Sequence, residues 1–259
     1  MENQIIAITR EVSRSIVHCE LTHLARTPID VARARAQHEQ YREALHSLGL
    51  EVLSLPEEPN LPDSVFVEDA AIVLDEVAVL TRPGADSRRP EVESIARALE
   101  PYRRLLRIES PGMLDGGDVL VVDRKIFVGQ TLRTNTSALE QMTKLLQPFG
   151  YEVIGVPVTE CLHLKSGVTR VAENTLLINP AWVDKKYFNG FDFVEVDPSE
   201  PFAANALLIG DALIYPSAFA GTRTRLETVT PRIVTVEADE LAKAEGGVTC
   251  CSLVFNVPL

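Results

Sequence analysis

A thiol, an imidazole and a set of carboxylates recur along this chain at similar intervals. Asp69, Asp118, Ser166, Asn205 and Cys250 each stand just ahead of an apolar strand-like run, at spacings of 49, 48, 39 and 45 residues. Asp115 and His163 lie three residues ahead of Asp118 and Ser166. A polar group at the end of a buried strand costs about 1–3 kcal/mol when unpaired, so its repetition needs a reason. If the units form a ring, these strand starts converge on its axis and bring two or three carboxylates, one imidazole and one thiol together. Such a set can hold a guanidinium by charge-assisted hydrogen bonds to the carboxylates. A thiolate can attack the guanidinium carbon, and a histidine can protonate the departing amine and later activate water. No metal or cofactor is needed. Taken singly, each residue has a plainer role. A cysteine at a strand end is usually a small core residue, His163 between two leucines suits a satisfied core histidine, and Gly116-Gly117-Asp118 suits a turn. The joint arrangement carries the reading.

The elements that must position these residues are visible as a repeat. Strand-like runs begin at 51, 105, 151, 193 and 233 (Glu51–Leu55, Leu105–Glu109, Tyr151–Val156, Phe193–Val196, Ile233–Glu237), a period typical of stacked or closed units. Four hairpins fall between them: Ala70–Leu74 with Val77–Leu80, Val119–Val122 with Lys125–Val128, Gly167–Val171 with Thr175–Ile178, and Ala206–Ile209 with Ala212–Tyr215. Asp75-Glu76, Asp123-Arg124, Glu173-Asn174 and Gly210-Asp211 supply the turns. A fifth hairpin would pair Cys251–Phe255 with Ile5–Ile8, joining the chain ends and closing a ring. Strand alternation would send Cys250 and Cys251 to opposite faces, leaving at most one as a nucleophile.

Helices are expected in the first three units. Asp30 is placed to cap a stripe of Val31, Ala34, Tyr41, Leu45 and Leu48, Pro90 suits a first helical position, and Asn135 is placed to cap a helix carrying Leu139 and Met142. The last two units are shorter and less helical. The expectation is one domain over residues 1–259, made of five pseudo-repeats in an α/β ring.

Composition bounds the function class. The formal net charge is −12, from 37 acidic and 25 basic residues, which argues against nucleic acid and anionic membranes as partners. No apolar run approaches the roughly 20 residues of a membrane span, and the first ten residues do not read as a signal peptide, so a cytoplasmic location is expected. Cys19, Cys161, Cys250 and Cys251 include no Cys-x-x-Cys pair, which disfavours a zinc framework, and the expected compartment disfavours a disulfide scaffold. An exposed edge strand would support a homodimer.

The motifs Phe66-Val-Glu-Asp69, Thr81-Arg-Pro-Gly-Ala85, Ser87-Arg-Arg89, Leu114-Asp-Gly-Gly-Asp118, Arg133-Thr-Asn135, Leu162-His-Leu-Lys-Ser166 and Thr249-Cys-Cys-Ser252 follow one another in order. From about Ser15 onward the chain resembles the dimethylarginine dimethylaminohydrolases of the guanidino-group-modifying superfamily. That resemblance implies a five-bladed α/β propeller (the pentein fold) of ββαβ-like repeats around a central active site. It implies Cys250 as nucleophile, His163 as general acid/base, and Asp69 and Asp115 gripping the guanidinium; Asp115 is glutamate in some members. Asp63 and the main chain of Leu21 would receive the α-amino group, and Arg88 and Arg133 the α-carboxylate. Glu68 would line the pocket, the main chain near Ala244 would help hold the amino-acid end, and the loop around Leu21 would act as a lid.

The activity so implied is hydrolysis of Nω-methylated L-arginine, a cationic small molecule, to citrulline and methylamine or dimethylamine through a covalent thiouronium. An ordinary thiol ionises near pH 8.5, and nearby carboxylates disfavour the thiolate, so the substrate's own charge is expected to help form it. A transition metal captured by Cys250 and His163 would inhibit. Three rivals share the fold: an arginine deiminase, which is usually longer; an amidinotransferase; and a non-catalytic binding protein, which the Cys250–His163 pair disfavours.

Overall fold

Runs that are apolar at every position, such as Val77-Ala-Val-Leu80, call for strands covered on both faces. The computed structural model describes residues 3–230 and 232–258, and it covers these runs between neighbouring sheets. β1 (Asn3–Arg10) leads through α1 (Val31–Ser47) to β2 (Glu51–Leu55). β3 (Ala71–Val73) and β4 (Val77–Leu80) form a hairpin that continues through α2 (Glu91–Leu99) to β5 (Arg104–Arg107). β6 (Val119–Val122), β7 (Lys125–Gln130), α3 (Thr136–Leu146) and β8 (Glu152–Pro157) repeat the pattern. After the one-turn α4 (Leu164–Gly167), β9 (Val168–Ala172) and β10 (Thr175–Ile178) reach β11 (Asp192–Glu195) through a 3-10 turn, Lys185–Tyr187. β12 (Leu207–Ile209), β13 (Ala212–Pro216), α5 (Ala220–Leu226) and β14 (Arg232–Val236) follow, and α6 (Asp239–Ala242) precedes β15 (Leu253–Pro258).

Each unit makes one three-stranded sheet in which the middle strand runs antiparallel to its hairpin partner and parallel to the strand that follows. The fifth sheet, β15-β1-β2, uses both ends of the chain, with Ile6 opposite Phe255 and Ile8 opposite Leu253. The result is a five-bladed α/β propeller. Its sheets stay separate, so joining the ends closes the ring of blades without merging their edges.

The core lies between blades. On β4, Ala78 and Leu80 pack toward the blade of β1, while Val77 and Val79 pack toward that of β6. On β7, Ile126 and Val128 face one neighbour and Phe127 the other. A period-two strand thus supplies two cores at once.

Asp30 and Asn135 cap α1 and α3 as expected, accepting from the Arg33 and Ala138 N–H groups. Pro90 is the N-cap of α2 rather than its first residue. Several strands start later than their apolar runs: Ala70, Gly167, Ala206 and Cys251 all lie outside the ladders. Cys250 and Cys251 belong to a 3-10 turn, Thr249–Cys251, and β15 begins at Leu253, so strand alternation is not what separates the two thiols.

Candidate active site

The late strand starts have a cause. Ahead of four of the five hairpin sheets' inner strands the chain makes a tight turn: Val67–Ala70, Gly116–Asp118, α4 and Thr249–Cys251. These turns touch one another around the centre and present the polar residues singled out above.

His163, the N-cap of α4, is the hub. Its Nε2 lies 3.0 Å from Asp115 Oδ2, and its Nδ1 lies 3.9 Å from Asp69 Oδ1. Asp115 Oδ1 accepts the Gly84 N–H at 2.8 Å, and its main-chain N–H donates to Thr134 Oγ1. Asp69 Oδ1 accepts the Gly117 N–H at 2.8 Å and its Oδ2 accepts Arg88 Nη1 at 2.6 Å. A Cβ on Gly117 would stand 2.4 Å from His163 Nδ1, which is why glycine occupies that position. Cys250, 9% exposed, accepts the Gly247 N–H on its sulfur at 3.3 Å. Beside it Glu68 is held by Lys165 and by the Thr249 hydroxyl.

The fields in this cluster set the resting protonation. Burial alone would keep the imidazole neutral, but Asp69, the hydrogen bond to Asp115 and Asp118 outweigh it and raise His163 to about 9. Burial works against ionisation of Asp69 too, yet His163 and Arg88 bring it down to about 2. Burial first, then the charges of Glu68 and Asp69, push the Cys250 thiol up to about 12 against the pull of the Gly247 N–H and Lys165. The empty site therefore holds an imidazolium beside a neutral thiol at pH 7.

Two cavities meet at Cys250 and His163. The inner one is lined by Asp63, Asp69, Arg88 and Arg133, with Phe66 and Leu162 as apolar walls and Glu20 and Ala244–Gly246 across the top. Its volume is about 10 Å³, room for about one water. The outer one is a groove of about 480 Å³ that opens to solvent.

The predicted residues fall into place unevenly. Asp69, Asp115, His163 and Cys250 converge as expected. Asp63 faces the inner cavity and accepts the Glu20 N–H on Oδ2 at 3.0 Å. Arg133 lies 3.8 Å from Asp115 and donates to Thr22 Oγ1 at 2.9 Å. Arg88, 4% exposed, lines the inner cavity and is engaged by Asp69, Glu91 and the Asp63 and Phe66 carbonyls, with one of its two Nη1 hydrogens taken by Asp69. Glu68 lines the outer groove. Ala244 lines the inner cavity, whereas Leu21 packs half-buried against the core and its neighbour Glu20 takes the cavity wall. Asp118 is not part of the reactive set: its oxygens accept from the Leu164 N–H and the Thr131 and Thr134 hydroxyls, and burial raises it to about 6. Asn205 likewise ties Lys165 to Thr249.

Sequence reasoning passed over Glu245. Its φ of 59° puts it in the left-handed region, and its carboxylate accepts the N–H groups of Thr22, His23 and Leu24 at 3.0, 2.6 and 2.6 Å. It clasps the loop over the site. The adjacent Gly246-Gly247 was the one available signal of an unusual turn. Asp69, Asp115 and His163 each offer an atom within 4.8 Å of the others. Their oxygens already accept N–H donors and Arg88 abuts them, so the set suits a cationic hydrogen-bond donor better than a metal ion.

The family model described as "N,N dimethylarginine dimethylhydrolase, eukaryotic" matches residues 22–190. The chain is 36% identical over 249 residues to the N(G),N(G)-dimethylarginine dimethylaminohydrolase of Streptomyces coelicolor, covering 95% of each. It is 34% identical over 251 residues to that of Pseudomonas aeruginosa, covering 96% of this chain and 98% of the relative. The Pseudomonas protein, solved as a cysteine-to-serine variant with citrulline, superposes with a TM-score of 0.94 at 33% identity, over 98% of this chain and all of that one.

Proposed function

The chain belongs to the dimethylarginine dimethylaminohydrolase family, and from that premise we infer how its residues divide the hydrolysis of Nω-methylated L-arginine to L-citrulline and methylamine or dimethylamine. The observation that carries the reading is the Asp115–His163–Asp69 array, with a neutral thiol, Cys250, at the same cavity junction.

The substrate guanidinium sits against Asp69 and Asp115. The α-amino group meets Asp63, whose second carboxylate oxygen is free of the Glu20 contact, and the α-carboxylate meets Arg133 and the remaining Nη1 hydrogen of Arg88. Because the inner cavity is closed around one water's space, entry requires the Thr22–Leu24 loop to lift away from Glu245 and Arg133. Arrival of the cation offsets the charge of Asp69 and draws down the Cys250 pKa, so the thiol gives its proton to solvent, His163 being already charged, and the thiolate forms only with substrate in place. Sulfur bonds to the guanidinium carbon, the bond to the methylated nitrogen breaks, and His163 gives its proton to the leaving amine. Water then adds with His163 as base, and the carbon–sulfur bond breaks to give citrulline. Asp115 fixes the His163 ring and stabilises its charged form.

The test is citrulline release from asymmetric dimethylarginine, monomethylarginine and arginine in parallel, with chelator present. Turnover of the methylated substrates and not of arginine is expected. Turnover of arginine alone would make the protein a compact deiminase.

A further inference from the structure

The outer groove has no task in this scheme. It begins at Cys250, His163, Gly117 and Glu68 and runs outward between the loop over the site and the blade of β12, β13 and β14. Beyond those four its walls are largely apolar: Leu24, Ala25, Phe202, Pro216, Ala218 and Phe219. Phe202 is 50% exposed and stacks edge-on against Trp182, so a large apolar face is kept open at the groove. The inner cavity has the opposite character, with Asp63, Arg88 and Arg133 suited to an α-amino acid and little room to spare. The reacting pair stands where the two meet. A guanidinium whose amino-acid end is held inside therefore turns one terminal nitrogen toward the groove.

We propose that this groove receives the substituent on the leaving nitrogen, and that the protein hydrolyses L-arginines carrying Nω-alkyl chains longer than methyl. The inference rests on the reaction proposed above and extends its substrate class. The chemistry is unchanged. Cys250 sulfur bonds to the guanidinium carbon, the bond to the alkylated nitrogen breaks, His163 supplies the proton that lets it leave as an alkylamine, and water cleaves the thiouronium to citrulline. At about 480 Å³ the groove has the size of a small-molecule site and exceeds what one or two methyl groups fill. Each methylene moved from water onto such a wall favours the complex by about fourfold. A closed methyl pocket would instead exclude longer chains by clash.

The experiment measures citrulline release from Nω-methyl-, Nω-propyl- and Nω-pentyl-L-arginine by the wild type and by Ala218→Trp and Ala242→Trp. These two residues are exposed positions on different groove walls, and neither touches the reacting groups. The wild type should use the pentyl substrate with a kcat/KM at least about one-tenth that of the methyl substrate, a ratio that a pocket clash could not allow. At least one tryptophan variant should cut the pentyl value about tenfold or more, the worth of two methylenes displaced, while leaving the methyl value within about twofold. Methyl turnover also reports that each variant is folded. Good methyl turnover with pentyl below that ratio overturns the proposal and leaves the reaction standing, as does a tryptophan effect equal on both substrates or absent from both variants. Failure on every substrate overturns the reaction and the proposal together.

Discussion

Asp115→Asn is the most searching change to make in the site. Asp115 Oδ2 lies 3.0 Å from His163 Nε2, and its other oxygen accepts the Gly84 N–H. Asparagine is nearly the same shape and can keep the Gly84 contact through its carbonyl oxygen. Its amide nitrogen then faces Nε2 as a donor, which requires Nε2 to be an acceptor and moves the proton of a neutral ring to Nδ1. A hydrogen bond to a charged partner contributes about 1.5–3 kcal/mol. At 1.36 kcal/mol per tenfold, losing it should lower the imidazolium pKa by about one to two pH units. Asp69, 3.9 Å from Nδ1, and Asp118 still favour the charged ring, so the drop should stop short of full neutralisation. The alkaline limb of kcat, where the acid for the leaving amine is lost, should move down by that amount. With geometry for proton transfer impaired as well, kcat at neutral pH should fall by about 10²–10⁴. The assay is a pH–rate profile on monomethylarginine, paired with NMR titration of the His163 ring. An unchanged alkaline limb with kcat within about threefold would refute the role given to Asp115.

Four further outcomes follow from the same geometry. Cys250→Ser should abolish turnover, whereas Cys251→Ser, whose sulfur contacts the Gly247 carbonyl rather than lining the cavities, should retain it; the citrulline assay separates them. Gly117→Ala should cost about 10² or more in kcat, since the new Cβ would press on His163 Nδ1 and Asp69 Oδ1, and a far-UV spectrum like the wild type's would place the loss in the site. Glu245→Ala removes three acceptor contacts from the loop at Thr22–Leu24, so amide exchange there should accelerate and KM should rise; wild-type protection factors would dismiss the clasp. His163, raised from 6.5 to about 9, contributes stability that is complete below pH 6.5 and lost as pH climbs through about 9, so the Tm advantage of the wild type over His163→Gln should shrink across that window.

The five-unit repeat was legible because each middle strand is apolar at consecutive positions and each turn carries Asp, Asn or Gly, signals that survive in a single sequence. The residues proposed to react stood out as a set because repetition placed them at equivalent points. Less legible was the one-to-three-residue slack between those points and the ladders. Ala70, Gly167 and Cys251 look like strand residues by composition, yet the backbone there must curl so that Asp69, His163 and Cys250 aim at the axis. Asp118 fooled the pattern for the same reason. It follows the glycine pair at an equivalent position, but its side chain turns to tie α4 to the loop at Thr131–Thr134. Arg88 beside Arg89 reads as a solvated pair, and only the packing of α2 against the Val67–Ala70 turn buries one of them against Asp69 and Glu91.

These placements bear on the ionisation of the thiol before substrate arrives. A site acidic enough to hold a guanidinium also suppresses a neighbouring thiolate, and here burial first, then the charges of Glu68 and Asp69, keep the Cys250 proton on sulfur. Asp69, with Asp115 and Asp118, also charges the imidazole, so the acid needed for the leaving amine is ready before the nucleophile is. On the function proposed above, a cation between Asp69 and Asp115 offsets the Asp69 charge that acts on the thiol, and a partner that also fills the space near Asp63 and Arg133 adds contacts that a bare guanidinium lacks. Selection for a cationic amino acid is thereby built into the ionisation of the nucleophile as well as into binding. Alkylation of Cys250 by iodoacetamide should accordingly be slow in the empty protein at neutral pH. It should remain slow with uncharged citrulline and rise as a small guanidinium such as methylguanidine is added, before direct occlusion at high concentration takes over. Fast labelling of the empty protein at pH 7 would show that the thiolate preexists, and that the carboxylates hold substrate without governing the thiol.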